Sequence, residues 1–485
     1  MRTGIGVAHD AVKTSSAEAQ KFYDQGLAYL HSYVWLEAAR SFNQALRLDP
    51  ALALAHAGLT IAYTELSAPA EARAALEHAQ TLAAEGHGRR HVELRALQMA
   101  AEAAPLDTSK LAAYRAALDR ALTEFPNDEE LWLQRGQAET SDPAERGQGS
   151  NAGSVRFYDK ARSLAPTHFA AHHFLAHAYE NSGVVAQALA EAAIYAKMAP
   201  EVPHARHMHG HSLRRTGRIE DAIAEFSAAD ALESAYLDAE KIPVEYDWHY
   251  QHNLDLLAAS YQYDGRMKKA EELLKRSFAL NSSLLVQEFN TRAWPMFLVA
   301  RGRAAEAVDA AATLASHRSP VVSAAGHVAA GHARLALEQF QAAADEANAA
   351  LRAIRGAEGG GLVAVPLQAL QGEFFLRTGQ RDKGRTMLQD VAKKARALPG
   401  PDAWTQTLFT LEDIGRAARE VGDWDFAGWV AGQMREHDAN YAGTHHALAL
   451  VAEHNGDAKT AAAERALAEK LWKNADRDVL EAVKR

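Results

Sequence analysis

The chain has 485 residues, 48% of them hydrophobic and 24% charged, a profile of folded rather than disordered protein. A formal net charge of −10 without a long basic run argues against nucleic acid as a partner, and no apolar run reaches the roughly 18 residues of a membrane helix. There is no cysteine, which excludes disulfides, thiolate metal sites and cysteine nucleophiles.

Residues 1–16, MRTGIGVAHDAVKTSS, read as an N-terminal tail. They lack the apolar core of a signal peptide, so the default expectation is a cytoplasmic protein. From residue 17 the chain is rich in alanine and its few prolines sit between apolar-periodic runs, which predicts helices throughout. The segment 17–126 opens with FYDQGLAYLHSYVWLEAARSFNQALRLDP, a helical pair with Gly26, Tyr29, Ala38, Ala45 and Pro50 at marked positions; the pattern weakens over 51–126.

The segment 127–285 is the best marked. ETSDPAERGQGSNAGS (139–154) predicts a loop that interrupts a repeat. HFLAHAYENSGVVAQALAEAAIYAKMAP follows, with Ala176, Tyr179, Gly183, Ala188 and Pro200. Gly183 and Gly217 are 34 residues apart, as are Pro166 and Pro200. Gly217 and Gly265 are 48 apart, which places an insertion around LESAYLDAEKIPVEYDW. In 286–485 the pattern is weak as far as 355, RGAEGGGLVAVP (355–366) reads as a flexible connector without the spacing of a phosphate loop, and the period returns with Gly422 and Gly456, 34 apart.

These offsets resemble the tetratricopeptide repeat over most of the chain: a small residue, an aromatic, a turn glycine, an alanine in the second helix and a closing proline. The resemblance implies an all-α fold, an α-solenoid or right-handed superhelix of about twelve helical pairs, in which each pair buries its apolar face on its neighbours. It also implies that first helices line a concave groove where ligands bind.

Histidine is distributed unevenly. The chain has 23, and eight lie in the 44 residues from His168 to His211. Ten and six residues before Gly183 stand His173 and His177; ten and six before Gly217 stand His207 and His211. Each pair is i, i+4, one above the other on a helix face. His204 and His252 lie thirteen before Gly217 and Gly265. In the repeat frame these six residues face the groove, and first helices about 8–10 Å apart let imidazoles from neighbours share an ion. Imidazole without thiolate suits zinc, iron or copper, and six histidines are enough for two ions. Glu180, His249 and Asp255 are expected as further ligands or outer-shell partners. Arg214 and Arg215, just beyond His211, and Tyr250 are expected to meet a small anionic ligand. His172 and His209 point to the packed side of their helices, and His168 is expected to be solvated at a helix start. His327 falls at a core aromatic position, and His445 and His446 are expected on the surface.

PHARHMHGH also resembles the P-H-x-x-H-M-x-x-H signature of a little-characterised group of bacterial tetratricopeptide proteins, matched here by His204, His207 and His211, with His252-Asn253 downstream. That group carries Pro-Ser where this chain has His209-Gly210. The leading expectation is a metal-dependent enzyme acting on a small anionic molecule. The alternatives are a scaffold that grips a peptide or partner protein in the groove, and a metal sensor or carrier.

Overall fold

The protein is seen in a computed structural model that describes residues 1–282, 284–398 and 401–484. Among them there are helices and turns but no strand. Two compact units follow one another, Met1–Ile242 and Pro243–Arg485.

The first unit is a stack of helical pairs. They are α1 (Ala17–Leu30) with α2 (Trp35–Leu48), α3 (Ala53–Glu65) with α4 (Pro69–Leu82), α5 (His87–Glu102) with α6 (Thr108–Glu124), α7 (Glu129–Gln137) with α8 (Val155–Leu164), α9 (Ala170–Asn181) with α10 (Val185–Met198), and α11 (Pro203–Arg215) with α12 (Ile219–Glu240). In the second unit α13 (Trp248–Tyr263) packs on α14 (Met267–Phe278). The short α15 (Leu285–Asn290) precedes α16 (Ala293–Ala300), which packs on α17 (Ala304–Ala315). Then α18 (Pro320–Ala336) pairs with α19 (Phe340–Ala353), α20 (Gly361–Arg377) with α21 (Arg381–Arg396), α22 (Pro401–Glu420) with α23 (Trp424–His437), and α24 (Ala442–His454) with α25 (Ala458–Leu471); α26 (Arg477–Lys484) closes the chain. The fold is thus the expected all-α solenoid of tetratricopeptide-like pairs. First helices of successive pairs also touch, α1 on α3, α3 on α5, α7 on α9 and α9 on α11, which aligns them along one side of the unit.

Small residues on first helices make room for rings on second helices. A Cβ added to Gly26 would lie 2.5 Å from the Phe42 ring, and one added to Gly210 would lie 2.8 Å from Phe226. The turns inside pairs use left-handed backbone: Gly183, Gly217, Gly265, Gly302, Gly379, Gly422 and Gly456 have φ between +70° and +84°. Tyr33, Ser67 and Glu338 take corresponding turn positions at φ +60°, +57° and +59°, where a side chain is strained.

The insertion between Gly217 and Gly265 lengthens α12 to 22 residues, ends it on Lys241 in the left-handed region, and adds a 3₁₀ turn at Val244–Tyr246. The 139–154 loop forms as expected, between α7 and α8. The expected connector at 355–366 is shorter: α20 begins at Gly361 and contains Pro366. The N-terminal tail is packed down. Gly4 O accepts from Glu201 N at 2.9 Å, Val7 O from Phe169 N at 3.4 Å, and Ile5 and Ala8 are buried. Among the described residues no helix is long and apolar enough to cross a membrane.

Candidate metal centre

Helices α9 and α11 are first helices of neighbouring pairs and pack on each other. Their facing histidines meet. His173 Nε2 lies 3.1 Å from His177 Nε2 and 3.0 Å from His204 Nε2, and the three nitrogens fall within 4.8 Å of one another. All three residues are buried. The i, i+4 pair on α9 thus joins the histidine at the start of α11.

One proton in this group is placed by geometry. His173 Nδ1 is 2.7 Å from the carbonyl oxygen of His31, which can only accept, so Nδ1 carries the hydrogen and Nε2 presents its lone pair. The acceptor is a backbone carbonyl at the C-terminal end of α1, where such oxygens lack helical partners. Burial, reinforced by the neighbouring His177, pushes His173 well below the ordinary imidazole range and keeps it neutral. Tyr195 stacks on the His173 ring at 4.6 Å. Tyr33 meets the same ring edge to face, 4.8 Å from His173 and 5.0 Å from His204. Its hydroxyl donates to Arg146 O of the 139–154 loop at 2.9 Å, so the loop reaches the site through Tyr33.

Further along α11, His207 Nε2 and His211 Nε2 are 2.8 Å apart. Glu180 Oε1 lies 3.5 Å from His211 Nδ1. Glu180 is buried and neither carboxylate oxygen has a hydrogen-bond partner; burial raises its pKa, opposed by Arg215, His177 and Arg214. Arg214, expected at a helix end, is among the most deeply buried side chains, while Arg215 is half-buried.

The remaining expected residues belong to the second unit. His252 is on α13, stacked on Trp248 at 5.8 Å. His249 is buried on the same helix, and burial pushes it down to about 4. Asp255 Oδ1 accepts from Ser277 Oγ at 2.6 Å. The Tyr250 hydroxyl accepts from Arg276 Nη2 at 2.5 Å, and the guanidinium also lies over its ring.

Two groups in the first unit escape the repeat frame. His31 Nε2 and His168 Nε2 both lie 3.0 Å from Glu130 Oε1, with all three residues buried. His168 is therefore not the solvated residue expected. Its Nδ1 accepts from Ala170 N at 3.3 Å, which leaves Nε2–H to donate to Glu130. Burial alone would raise Glu130, but the two imidazoles hold it far below the ordinary carboxylate range. The second group is His87 and His91 on α5 with Asp128, the N-cap of α7: each Nε2 is 2.7 Å from Asp128 Oδ2. Other histidines bond across their own pair, as expected for His172 and His209. His172, His327 and His445 each bond a glutamate 19 residues on, at 2.6 Å. His327 is half-buried rather than core, and His445 is buried rather than on the surface.

No protein-family model matches the chain, and no curated protein matches it. Three solved structures are similar to it at low identity. The APC/C hetero-tetramer Cut9–Hcn1 is 12% identical, with a TM-score of 0.32, over 97% of this chain and 96% of that one. The human IFIT1 dimer with PPP-AAAA is 11% identical, TM-score 0.39, over 93% and 89%. Yeast Tom70 is 10% identical, TM-score 0.33, over 97% and 93%. The tetratricopeptide-like architecture rests on the chain's own pairs and turns.

Proposed function

We propose that the chain is a tetratricopeptide-like repeat protein whose first unit holds a transition metal ion on His173, His177 and His204, for chemistry on a small anionic molecule. The observation that carries this reading is the lone pair of His173 Nε2, oriented by the His31 carbonyl toward two other imidazole nitrogens at 3.0 and 3.1 Å. Ligand nitrogens on a tetrahedral ion, with bonds of about 2.0–2.1 Å, lie about 3.4 Å apart. An outer carbonyl on Nδ1 is the usual partner of a metal-binding imidazole. The competing arrangement directs two N–H groups at a single nitrogen lone pair, and offers no reason to gather three rings.

The donor set fits zinc, iron or copper. Three protein ligands leave a tetrahedral ion one position for water or a substrate oxygen, which the ion would polarise. The chain's own residues do the rest. Tyr33 and Tyr195 keep water from the imidazoles. Glu180 supplies a buried carboxyl group near His177. Arg214, one turn beyond His211, supplies positive charge suited to an anion. The neighbouring pair His207 and His211 is the place for a second ion.

The test is elemental analysis of protein made without an affinity tag, before and after addition of zinc, iron or copper. About one equivalent is expected at this site, lost in His204→Ala with helicity retained. Less than about 0.2 equivalents with no uptake on titration would overturn the reading. Metal bound with no turnover of any anionic substrate would overturn the enzymatic part and leave a sensor or carrier. Capture of a peptide equally by wild type and a His207/His211 double alanine variant, with no metal in either, would point instead to a scaffold.

A further inference from the structure

We propose that His87, His91 and Asp128 form a second metal site, separate from His173, His177 and His204, that takes a divalent cation on two imidazoles and one carboxylate. His87 and His91 are i, i+4 in the first turns of α5, so their rings project from one face. Their Nε2 atoms are 3.2 Å apart and each lies 2.7 Å from Asp128 Oδ2. Three ligand atoms from two helical pairs therefore converge on one point.

The carboxylate is directed there by its place in the fold. Asp128 caps α7, and its Oδ1 accepts from Leu131 N at 3.0 Å. That leaves Oδ2 to face the imidazoles, an outer-shell arrangement that orients a ligand. A second carboxylate comes from the N-terminal tail. Asp10 Oδ1 is 4.0 Å from His87 Nε2, and its Oδ2 accepts from Tyr23 at 3.0 Å. Two carboxylates thus flank two imidazoles in a partly enclosed site, and a cation balances them.

Without an ion, both rings must donate Nε2–H to the same oxygen, with the two N–H groups side by side. With an ion, both lone pairs and the oxygen share one partner. Two histidines and one carboxylate on one side of a cation leave further positions open, the pattern of non-haem iron and related divalent sites. On the side of His91 and Asp10 there is a cavity of about 80 Å³, also bordered by Tyr33, Arg95, Glu130 and Arg146. That holds several waters or a small ligand. The chemical class is therefore a divalent first-row cation with oxygen ligands completing its shell.

The test uses the full chain, stripped with chelator and reloaded with Zn²⁺ alone, with bound zinc counted after desalting. His87→Ala and Asp128→Asn are each expected to bind one equivalent fewer than wild type. Asparagine caps a helix as well as aspartate, so Asp128→Asn removes the charge and keeps the α7 cap; unchanged circular dichroism confirms the fold. His204→Ala should lose a different equivalent, and His87→Ala/His204→Ala should lose both. Wild-type zinc content in both His87→Ala and Asp128→Asn would overturn the second site and leave the first untouched. Loss in those variants, with no loss in His204→Ala, would overturn the first site and support the second. Substitution with Co²⁺ adds a second readout, since the N₂O-type part of the visible spectrum of His204→Ala should be absent from His87→Ala/His204→Ala.

Discussion

His173 and His31 are 142 residues apart in sequence and joined by one hydrogen bond, 2.7 Å from imidazole Nδ1 to main-chain oxygen. The acceptor belongs to the backbone, so the His31 side chain is dispensable for it. His31→Ala keeps that contact and is expected to weaken metal binding at the three-histidine site by less than the roughly tenfold or more that losing an outer-shell contact costs, whereas His173→Ala abolishes it. Competition against a chelating dye measures both. Equal loss in the two variants would show that the His31 ring, not its carbonyl, governs the site.

Glu130 ties this arrangement down, since it accepts from both His31 and His168 at 3.0 Å in the interior. Glu130→Ala leaves two buried imidazoles without their acceptor and is expected to cost about 3–5 kcal/mol. Glu130→Gln keeps an acceptor and should cost less, about 1–2 kcal/mol. Urea unfolding followed by circular dichroism gives the ordering, and a Gln variant as unstable as the Ala variant would contradict it.

The three strained turns should respond differently to glycine. Ser67 and Glu338 are exposed, at φ +57° and +59°, so Ser67→Gly and Glu338→Gly are expected to stabilise by about 0.5–1 kcal/mol each. Tyr33 carries the same strain at φ +60°, but its buried ring packs on His173 and His204. Tyr33→Gly should destabilise by about 1–3 kcal/mol net, because the lost burial exceeds the relieved strain. Thermal unfolding of the three variants side by side checks this; a stabilised Tyr33→Gly would mean that the ring contributes little.

A pH effect is expected from the second unit. Burial raises Glu412 from 4.5 to about 7, helped by Asp413 and opposed by the Tyr441 hydroxyl. Between these values the folded chain keeps a proton that the unfolded chain releases. Glu412's contribution to stability is therefore full below about pH 4.5 and falls as pH rises to about 7, by at most about 3 kcal/mol. Glu412→Gln should flatten that part of the stability–pH curve and gain most over wild type at pH 8. An unchanged slope would contradict the raised value.

The sites differed in how plainly the sequence announced them, and turn glycines explain the difference. Gly183 and Gly217 mark equivalent positions in successive pairs, so His173, His177 and His204 could be placed on one face before any coordinates. The turn after α3 uses Ser67, and α5 is joined to α6 through Ala103–Asp107 without a glycine, so His87 and His91 had no register mark. Their i, i+4 spacing was visible but not specific. His168 and His172 share it and part company, one to Glu130 and the other to Glu191. The partner of His31 lies 99 residues away, a distance that no local pattern encodes. The fold was easier to read because alanine, aromatic and turn positions recur in every well-marked pair.

The N-terminal tail has a consequence for the order in which this unit is made. Its Gly4 carbonyl waits for Glu201 and its Val7 carbonyl for Phe169, so these two bonds cannot form until about 200 residues have been made. At about 5–20 residues per second that interval is about 10–40 s. Asp10 settles sooner, since its carboxylate accepts from Tyr23 and its carbonyl from Gln20, both on α1. The tail therefore closes on the first unit only once the chain has reached the start of α11, while the second unit is still to be made.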